Sequence, residues 1–111
     1  MNTPLEQSYR LCRQIARRSA KNFYYSFLVM PRAKRDAMCA IYAFMRRSDD
    51  IADGAANPAL ALEGLRQWRA TVDAALAGKK AGEPILPALA DAVQRYSIPA
   101  KHFHELLGKT F

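Results

Sequence analysis

Apolar side chains recur along this chain at intervals of three and four residues, which is the spacing of one face of an α-helix. The pattern predicts helices over residues 4–20, 31–53, 58–78 and 84–96, and a further one from about residue 99. Residues 21–30 are rich in aromatic side chains and fit either a brief helix or an irregular stretch. Because β-branched residues are scarce, the sequence predicts an all-α protein of about five helices.

Proline, asparagine and glycine mark the expected helix boundaries. Pro31 fits the first turn of a helix, and Gly54 is typical of the residue just beyond a helix end. Asn57 followed by Pro58 predicts an N-cap with proline in the first helical position. Gly78 is expected to end that helix.

The composition is that of one globular unit. The chain has 111 residues, of which 50% are hydrophobic and 24% are charged, so a disordered protein is not expected. Its formal net charge of +7 indicates an anionic partner, such as a nucleic acid, an anionic lipid or a phosphorylated small molecule, or else a surface that is basic for solubility. The basic residues are spread over several predicted helices, which argues against nucleic acid as the partner.

Two cysteines, Cys12 and Cys39, lie in apolar helical patterns with no metal-ligand spacing around them. We interpret them as buried, reduced thiols rather than as a disulfide or a metal site, which favours a cytoplasmic protein. The first residues lack the apolar segment of a signal peptide, and the longest apolar run, residues 37–45, is shorter than the ~20 residues that span a bilayer. Peripheral contact with a membrane stays open as an alternative.

The segment with the most chemical information is residues 41–54, IYAFMRRSDDIADG. Four of its side chains are separated by four, three and four residues, so they fall within an arc of about 60° on one helix face. These are Tyr42, Arg46, Asp49 and Asp53. One face therefore presents a phenol, a guanidinium and two carboxylates together.

Carboxylates are unfavourable at this end of a helix. They repel each other at i,i+4 by roughly 0.2–0.5 kcal/mol, and they oppose the helix dipole in the last turn. A cation would reverse both effects, because Mg²⁺ takes one or two carboxylates together with phosphate oxygens, and Arg46 would bind the same phosphate. The alternative is a solvent-exposed helix end in which Arg46 pairs with Asp49 or Asp50. The spacing alone does not decide between the two.

The surrounding sequence is far more specific than this pair of aspartates. Residues 19–54, SAKNFYYSFLVMPRAKRDAMCAIYAFMRRSDDIADG, resemble the amino-terminal signature of the squalene/phytoene synthase family. That signature has a polar pair before an aromatic run, then Pro and Arg, then Y-A-x-x-R and an Asp-rich motif. Two later segments, LRQWRATVDAALAG and PILPALADAVQRYSIPAKHFHELL, are also similar to the family. The resemblance extends, in order, over about residues 8–107.

The resemblance implies a single all-α isoprenoid-synthase bundle, of which residues 1–111 would be the amino-terminal part. It also implies a transferase that condenses two allylic prenyl diphosphates, farnesyl or geranylgeranyl, head to head in isoprenoid, carotenoid or hopanoid biosynthesis. Mg²⁺ would bridge aspartates to a diphosphate and help it leave. The second substrate would attack the resulting allylic cation and give a cyclopropyl intermediate.

Site residues are implied by position. Asp49 and Asp53 match the family's two metal-binding aspartates, and Asp50 is an acidic neighbour that would assist. Arg46 matches a diphosphate-binding arginine, and Tyr42 matches a tyrosine at the diphosphate that is suspected in proton transfer. The polar segment before the aromatic run matches further diphosphate contacts, here Ser19, Lys21 and Asn22. Asn22 stands where the family often has Ser, which puts its own hydrogen bonds in question.

The chain departs from the family pattern in one respect, because no second Asp-rich motif follows Asp53. We therefore expect that the chain is truncated before that motif and that these 111 residues alone do not complete catalysis. The alternative function is a non-catalytic helical module that binds diphosphate, a membrane surface or a partner chain. Its apolar faces would then drive self-association.

Overall fold

The computed structural model describes residues 4–79 and 82–98, without the side chains of residues 21–23. Within these ranges the chain forms five helices and no strand, which confirms the all-α prediction. They are α1 (Pro4–Ser19), α2 (Lys21–Phe27), α3 (Arg32–Asp53), α4 (Pro58–Leu76) and α5 (Leu86–Tyr96). The helix expected from about residue 99 lies outside the described residues. In the described ranges, no helix is long and apolar enough to cross a membrane.

The longest helix, α3, is the centre of the bundle, and α1, α4 and α5 all pack against it. Its buried side chains are mostly small, which lets the neighbouring helix backbones approach closely; they include Ala37, Cys39, Ala40 and Ala43. Phe44 is the large buried side chain of α3, and it lies against Trp68 of α4. Burial of such aromatic and aliphatic side chains contributes about 1.5–3 kcal/mol each.

The capping signals around α4 are confirmed. Asn57 Oδ1 accepts a hydrogen bond from the Leu60 backbone N–H at 2.9 Å, and Pro58 occupies the first helical position. At the other end Gly78 adopts a left-handed backbone with φ of 88°. Its N–H donates to the Ala75 carbonyl, and the next N–H, of Lys79, donates to Ala74 at 2.9 Å. These two bonds satisfy carbonyls that would otherwise lack partners at a helix end.

The predicted end of α3 at Asp53 is confirmed, whereas the predicted end of α1, start of α3 and end of α4 are wrong by one or two residues. Pro31 caps α3 in an extended conformation instead of lying in its first turn. Gly54 keeps a right-handed backbone with φ of −81°. A glycine is nevertheless suited to that position, because a Cβ there would lie 2.9 Å from the Asp50 carbonyl oxygen. α4 ends at Leu76 rather than Gly78, since the left-handed turn follows its last helical residue.

The start of α5 is also different, at Leu86 rather than residue 84. Ser8 of α1 accounts for this boundary. Its Oγ accepts a hydrogen bond from the Ala88 N–H at 2.9 Å and donates one to the Pro84 carbonyl at 2.6 Å. A side chain from another helix therefore supplies the cap that Ile85, the residue at the N-cap position, cannot provide.

Candidate functional site

The outer face of α3 carries the predicted site. Tyr42 is half-buried, while Arg46, Asp49 and Asp53 are exposed. Helical geometry places these four side chains on the side of α3 opposite Phe44, the residue that faces the core. The structure thus brings the predicted residues of this helix together on one accessible face.

The opposite side of α3 fixes how this face is oriented. Ser48 is buried, accepts a hydrogen bond from Trp68 Nε1 at 2.9 Å, and donates one to the Phe44 carbonyl at 2.8 Å. The rings of Phe44 and Trp68 stack with their centroids 6.1 Å apart. Gly64 of α4 lies so close to Ile51 that a Cβ on it would be 2.9 Å from Ile51 Cγ2. These contacts hold the last two turns of α3 against α4.

One ion pair forms within the Asp-rich segment. Arg46 Nε lies 3.2 Å from Asp50 Oδ1, with the two side chains 49% and 52% exposed. An exposed i,i+4 pair of this kind contributes only about 0.3–0.5 kcal/mol. Asp49 and Asp53 form no ion pair with any side chain in the described part of the chain. Arg46 therefore neutralises the middle aspartate and leaves the two metal-ligand candidates available.

A cleft of about 260 Å³ lies between α1 and α3 beside this segment. Ser19 and Arg46, which the sequence places far apart, both line it, as do Arg18 and Arg47. Three arginines and one serine thus line a space that Asp50 also lines. Such a set of donors suits an oxyanion such as a phosphate.

Sequence reasoning missed Arg18 and Arg47 as candidates for this cleft. Arg18 belongs to the basic end of α1, and from the sequence this run of arginines fits either a solvated face or a face toward lipid or phosphate. Arg47 is also held from the other side, because its Nη2 lies 2.6 Å from Glu83 Oε1 in the connection before α5. No sequence spacing indicates that α1 and α3 place these two residues on one cleft. The repeated arginines at the ends of both helices are the only local signal.

Two predicted diphosphate contacts cannot be placed. The backbone of Lys21 and Asn22 forms the first turn of α2, directly after Ser19 and Ala20. Their side chains lie outside the described residues. Their predicted role in binding diphosphate therefore stays a prediction.

The site offers some, but not all, of the ligands that a metal ion needs. In the described ranges, no group of three or more His, Cys, Asp or Glu side chains is placed to hold a metal ion. Asp49 and Asp53 nevertheless supply two exposed carboxylates one turn apart, which are hard oxygen ligands of the type Mg²⁺ prefers. Mg²⁺ is commonly held by one or two carboxylates, with the other ligands coming from phosphates and water. The donor set therefore fits one side of a magnesium–phosphate site.

The cysteines take no part in this site. Both are free and buried, as predicted. Burial raises the pKa of Cys12 to about 12 and the pKa of Cys39 to about 11. Because the thiolate is the reactive form, these protonated thiols are packing residues rather than nucleophiles.

Comparison with known proteins shows which protein family the chain belongs to. The family model for squalene/phytoene synthase matches residues 16–108, and the chain belongs to that family. It is 41% identical over 105 residues to phytoene synthase of Mycobacterium tuberculosis, an alignment that covers 95% of this chain and 34% of the relative. Phytoene synthase of Arthrospira platensis is 38% identical over 110 residues, with 97% and 35% covered. The 15-cis-phytoene synthase of a Synechocystis species is 32% identical over 104 residues, with 94% and 31% covered.

The chain thus spans about a third of the length of these curated relatives. No solved structure matches it. The family match includes the whole Asp-rich segment and, of the cleft residues, Arg18, Ser19, Arg46 and Arg47.

Proposed function

We propose that this chain provides one wall of the diphosphate site of a transferase that joins two allylic prenyl diphosphates head to head. What supports the proposal is the outer face of α3, where Asp49 and Asp53 are exposed and unpaired within the described residues and Arg46 lies one turn before Asp49. This face falls inside the segment that matches the squalene/phytoene synthase family. The names of the relatives favour a phytoene-type product and a role in carotenoid biosynthesis.

In this proposal Asp49 and Asp53 hold Mg²⁺, and Asp50 assists. Bound Mg²⁺ would neutralise negative charge on a diphosphate leaving group. The two aspartates also gain from a cation, because each lies in the last turns of α3, where the helix dipole and the neighbouring carboxylate disfavour negative charge. The arrangement is unfavourable for the isolated helix and becomes favourable once a cation is bound.

Arg46 binds the diphosphate directly in this account. A guanidinium has five N–H donors, so Arg46 can keep its Nε contact with Asp50 and still present its terminal nitrogens to phosphate oxygens. The hydroxyl of Ser19 donates from the other side of the cleft, and Lys21 and Asn22 follow it at the start of α2. Arg18 and Arg47 add positive charge to the same space.

Tyr42 serves the diphosphate as a hydrogen-bond donor and as the group that transfers a proton. It lies two turns before Asp49 on the same face of α3 and is half-buried. A neutral phenol that donates to a phosphate oxygen stabilises negative charge without adding a cation.

Replacement of Arg46 by Gln tests the diphosphate assignment. We expect this substitution to weaken binding of a non-cleavable geranylgeranyl thiolodiphosphate by at least about tenfold, because a charge-assisted hydrogen bond contributes roughly 1.5–3 kcal/mol. Isothermal titration calorimetry in the presence of Mg²⁺ measures the affinity. Arg66→Gln, an exposed arginine of α4, is the matched control and should bind as the parent chain does. Equal losses in both variants would show that only total charge matters and would contradict the assignment.

A further inference from the structure

One of the three cleft arginines, Arg47, is paired with a carboxylate that lies outside the cleft. Its Nη2 lies 2.6 Å from Oε1 of Glu83, a residue of the connection between α4 and α5. Arg47 lines the cleft between α1 and α3, and Glu83 does not. Arg47 therefore borders the cleft while its acidic partner stays outside it.

The other cleft arginine of α3 is paired differently. Arg46 Nε lies 3.2 Å from Asp50 Oδ1, and Asp50 is the one acidic residue among the described residues that line the cleft. A carboxylate in that place competes with a bound anion for the same guanidinium. Glu83 can hold an arginine without occupying the space of the anion.

The backbone around Glu83 is fixed by hydrogen bonds and burial. The Leu86 N–H donates to the Glu83 carbonyl at 3.2 Å, and Ser8 Oγ of α1 donates to the Pro84 carbonyl at 2.6 Å. Ile85, two residues after Glu83, is buried in the core. The side chain of Glu83 is itself only 21% exposed. Its carboxylate is therefore presented from a well-anchored segment.

Arg47 also belongs to an anchored part of the chain. The next residue, Ser48, is buried and accepts a hydrogen bond from Trp68 of α4. The arginine side chain nevertheless has several rotatable bonds, and an unrestrained guanidinium loses much rotamer freedom when it binds a ligand. The contact with Glu83 restricts that freedom before an anion arrives. Because a guanidinium has five N–H donors in a planar fork, other donors stay available for a phosphate.

We propose that Glu83 is a positioning residue of the diphosphate site, which holds the guanidinium of Arg47 at the edge of the cleft so that its remaining donors bind a phosphate oxygen. This role rests on the proposed function, because it supports the same site. Glu83 acts through Arg47 and does not touch the ligand. The connection between α4 and α5 thereby contributes to a site whose other residues belong to α1, α2 and α3.

The negative charge of Glu83 also repels an anion, but this effect is the smaller of the two. Arg47 neutralises the carboxylate at 2.6 Å, and salt screens what remains of its field over a Debye length of about 8–10 Å. Ordering a flexible side chain in advance lowers the cost of binding directly. Removal of the Glu83 carboxylate is therefore expected to weaken the binding of a diphosphate.

Nuclear magnetic resonance of the arginine Nε–H groups tests the position of Arg47 without any ligand. In the parent chain, Arg47 should have a clearly higher order parameter than Arg66, an exposed arginine of α4 that forms no ion pair in the described part of the chain. In Glu83→Gln the order parameter of Arg47 should fall to the level of Arg66. Equal order parameters of the two arginines in the parent, or an unchanged Arg47 in Glu83→Gln, would overturn the proposal.

Calorimetry with the non-cleavable thiolodiphosphate and Mg²⁺ tests the consequence for binding. Glu83→Gln should weaken binding roughly threefold to fivefold, which is about 0.6–1 kcal/mol and within the range of exposed ion pairs. Arg47→Gln should weaken binding at least as much, because it removes the guanidinium itself. When Arg47→Gln is already present, Glu83→Gln should cause no further weakening. An equal loss from Glu83→Gln in both backgrounds would show that Glu83 acts independently of Arg47 and would overturn the proposal.

Glu63→Gln of α4 is the matched control, because it removes an exposed carboxylate that forms no ion pair within the described residues. It should leave the affinity nearly unchanged, and a loss equal to that of Glu83→Gln would overturn the proposal. Arg46→Gln separates this inference from the proposed function. If Arg46→Gln weakens binding and Glu83→Gln does not, the positioning role fails and the diphosphate site stands. If the parent chain does not bind the thiolodiphosphate, both fail.

Discussion

Cys39 and Asp53 belong to the same helix, and the structure gives them opposite environments. Cys39 is fully buried against α1, where burial raises its pKa, and Cys12 on the facing helix is affected in the same way. Asp53 lies at the exposed end of α3, where the backbone dipole opposes its charge. Packing thus keeps the thiols protonated and unreactive, while the carboxylate of Asp53 stays exposed to solvent.

From the raised pKa values of the two thiols, we predict that the folded chain loses stability at alkaline pH. In the unfolded chain they should ionise near pH 9, whereas in the folded chain their pKa values are about 12 and about 11. Above pH 9 the unfolded state therefore binds fewer protons, and the free energy of unfolding should fall as the pH rises, by up to about 1.4 kcal/mol per pH unit for each thiol. Urea unfolding between pH 8 and about 11 measures this slope.

The control for this prediction is the variant Cys12→Ala with Cys39→Ala, in which the slope should be clearly smaller. Tyr9 contributes in the same direction at the upper end of the range, because burial and its hydrogen bond to Asp91 raise its pKa, and it is present in both proteins. An identical slope in the double variant would contradict the account of the thiols.

Helix identity and two of the caps could be predicted from the sequence because both depend on local chemistry. Apolar spacing determines the buried faces, and Asn57 needs only the N–H three residues further on. The start of α5 could not be predicted, since Ser8 provides its cap from a helix 80 residues earlier. The cleft between α1 and α3 was missed for the same reason, because Arg18 and Arg47 meet only through packing.

Within the Asp-rich segment, the sequence also left the partner of Arg46 undecided between Asp49 and Asp50. Both spacings occur on a helix face. The structure selects Asp50, and this choice keeps Asp49 available on the outer face. Side-chain rotamers decided the outcome, and residue spacing alone does not specify them.

Removal of the α4 N-cap should lower the stability of the folded chain by a measurable amount. Asn57→Ala deletes the acceptor for the Leu60 N–H and should lower the free energy of unfolding by about 1 kcal/mol. Asn57→Ser retains an N-cap oxygen and should lose much less. Chemical denaturation monitored by far-ultraviolet circular dichroism compares the variants with the parent chain. Equal destabilisation by Ala and Ser would show that this hydrogen bond does not determine where the helix starts.

At the scale of the whole molecule, α3 separates a packed side from an open side. On one face of α3, Phe44 and Ser48 pack against Trp68 of α4. The opposite face carries Arg46 and the carboxylates of the Asp-rich segment. The cleft arginines lie at one edge of the open side. In the proposed function, this arrangement leaves the open side of α3 accessible to a metal ion and a diphosphate. The chain spans about a third of the length of its curated relatives.

We therefore expect no turnover by these 111 residues alone. The sequence has one Asp-rich segment, and in the proposed function two carboxylates on one helix would supply only part of the ligands of the metal ions that assist a leaving diphosphate. Incubation with farnesyl or geranylgeranyl diphosphate and Mg²⁺, followed by extraction and chromatography, is the assay. Phytoene synthase of Mycobacterium tuberculosis serves as the positive control. Product that depends on Asp49 would contradict this expectation.

The central claim is that Asp49 and Asp53 form one wall of a metal–diphosphate site. Its most direct test is calorimetry, which measures how strongly the non-cleavable prenyl thiolodiphosphate binds with and without Mg²⁺. Three proteins are compared: the parent chain, the variant Asp49→Asn with Asp53→Asn, and a control in which two other exposed carboxylates are replaced, Glu6→Gln with Glu63→Gln. Mg²⁺ should strengthen binding at least about tenfold in the parent and the control, which is about 1.4 kcal/mol, and should have no effect in the aspartate variant. The same Mg²⁺ dependence in all three proteins would contradict the claim.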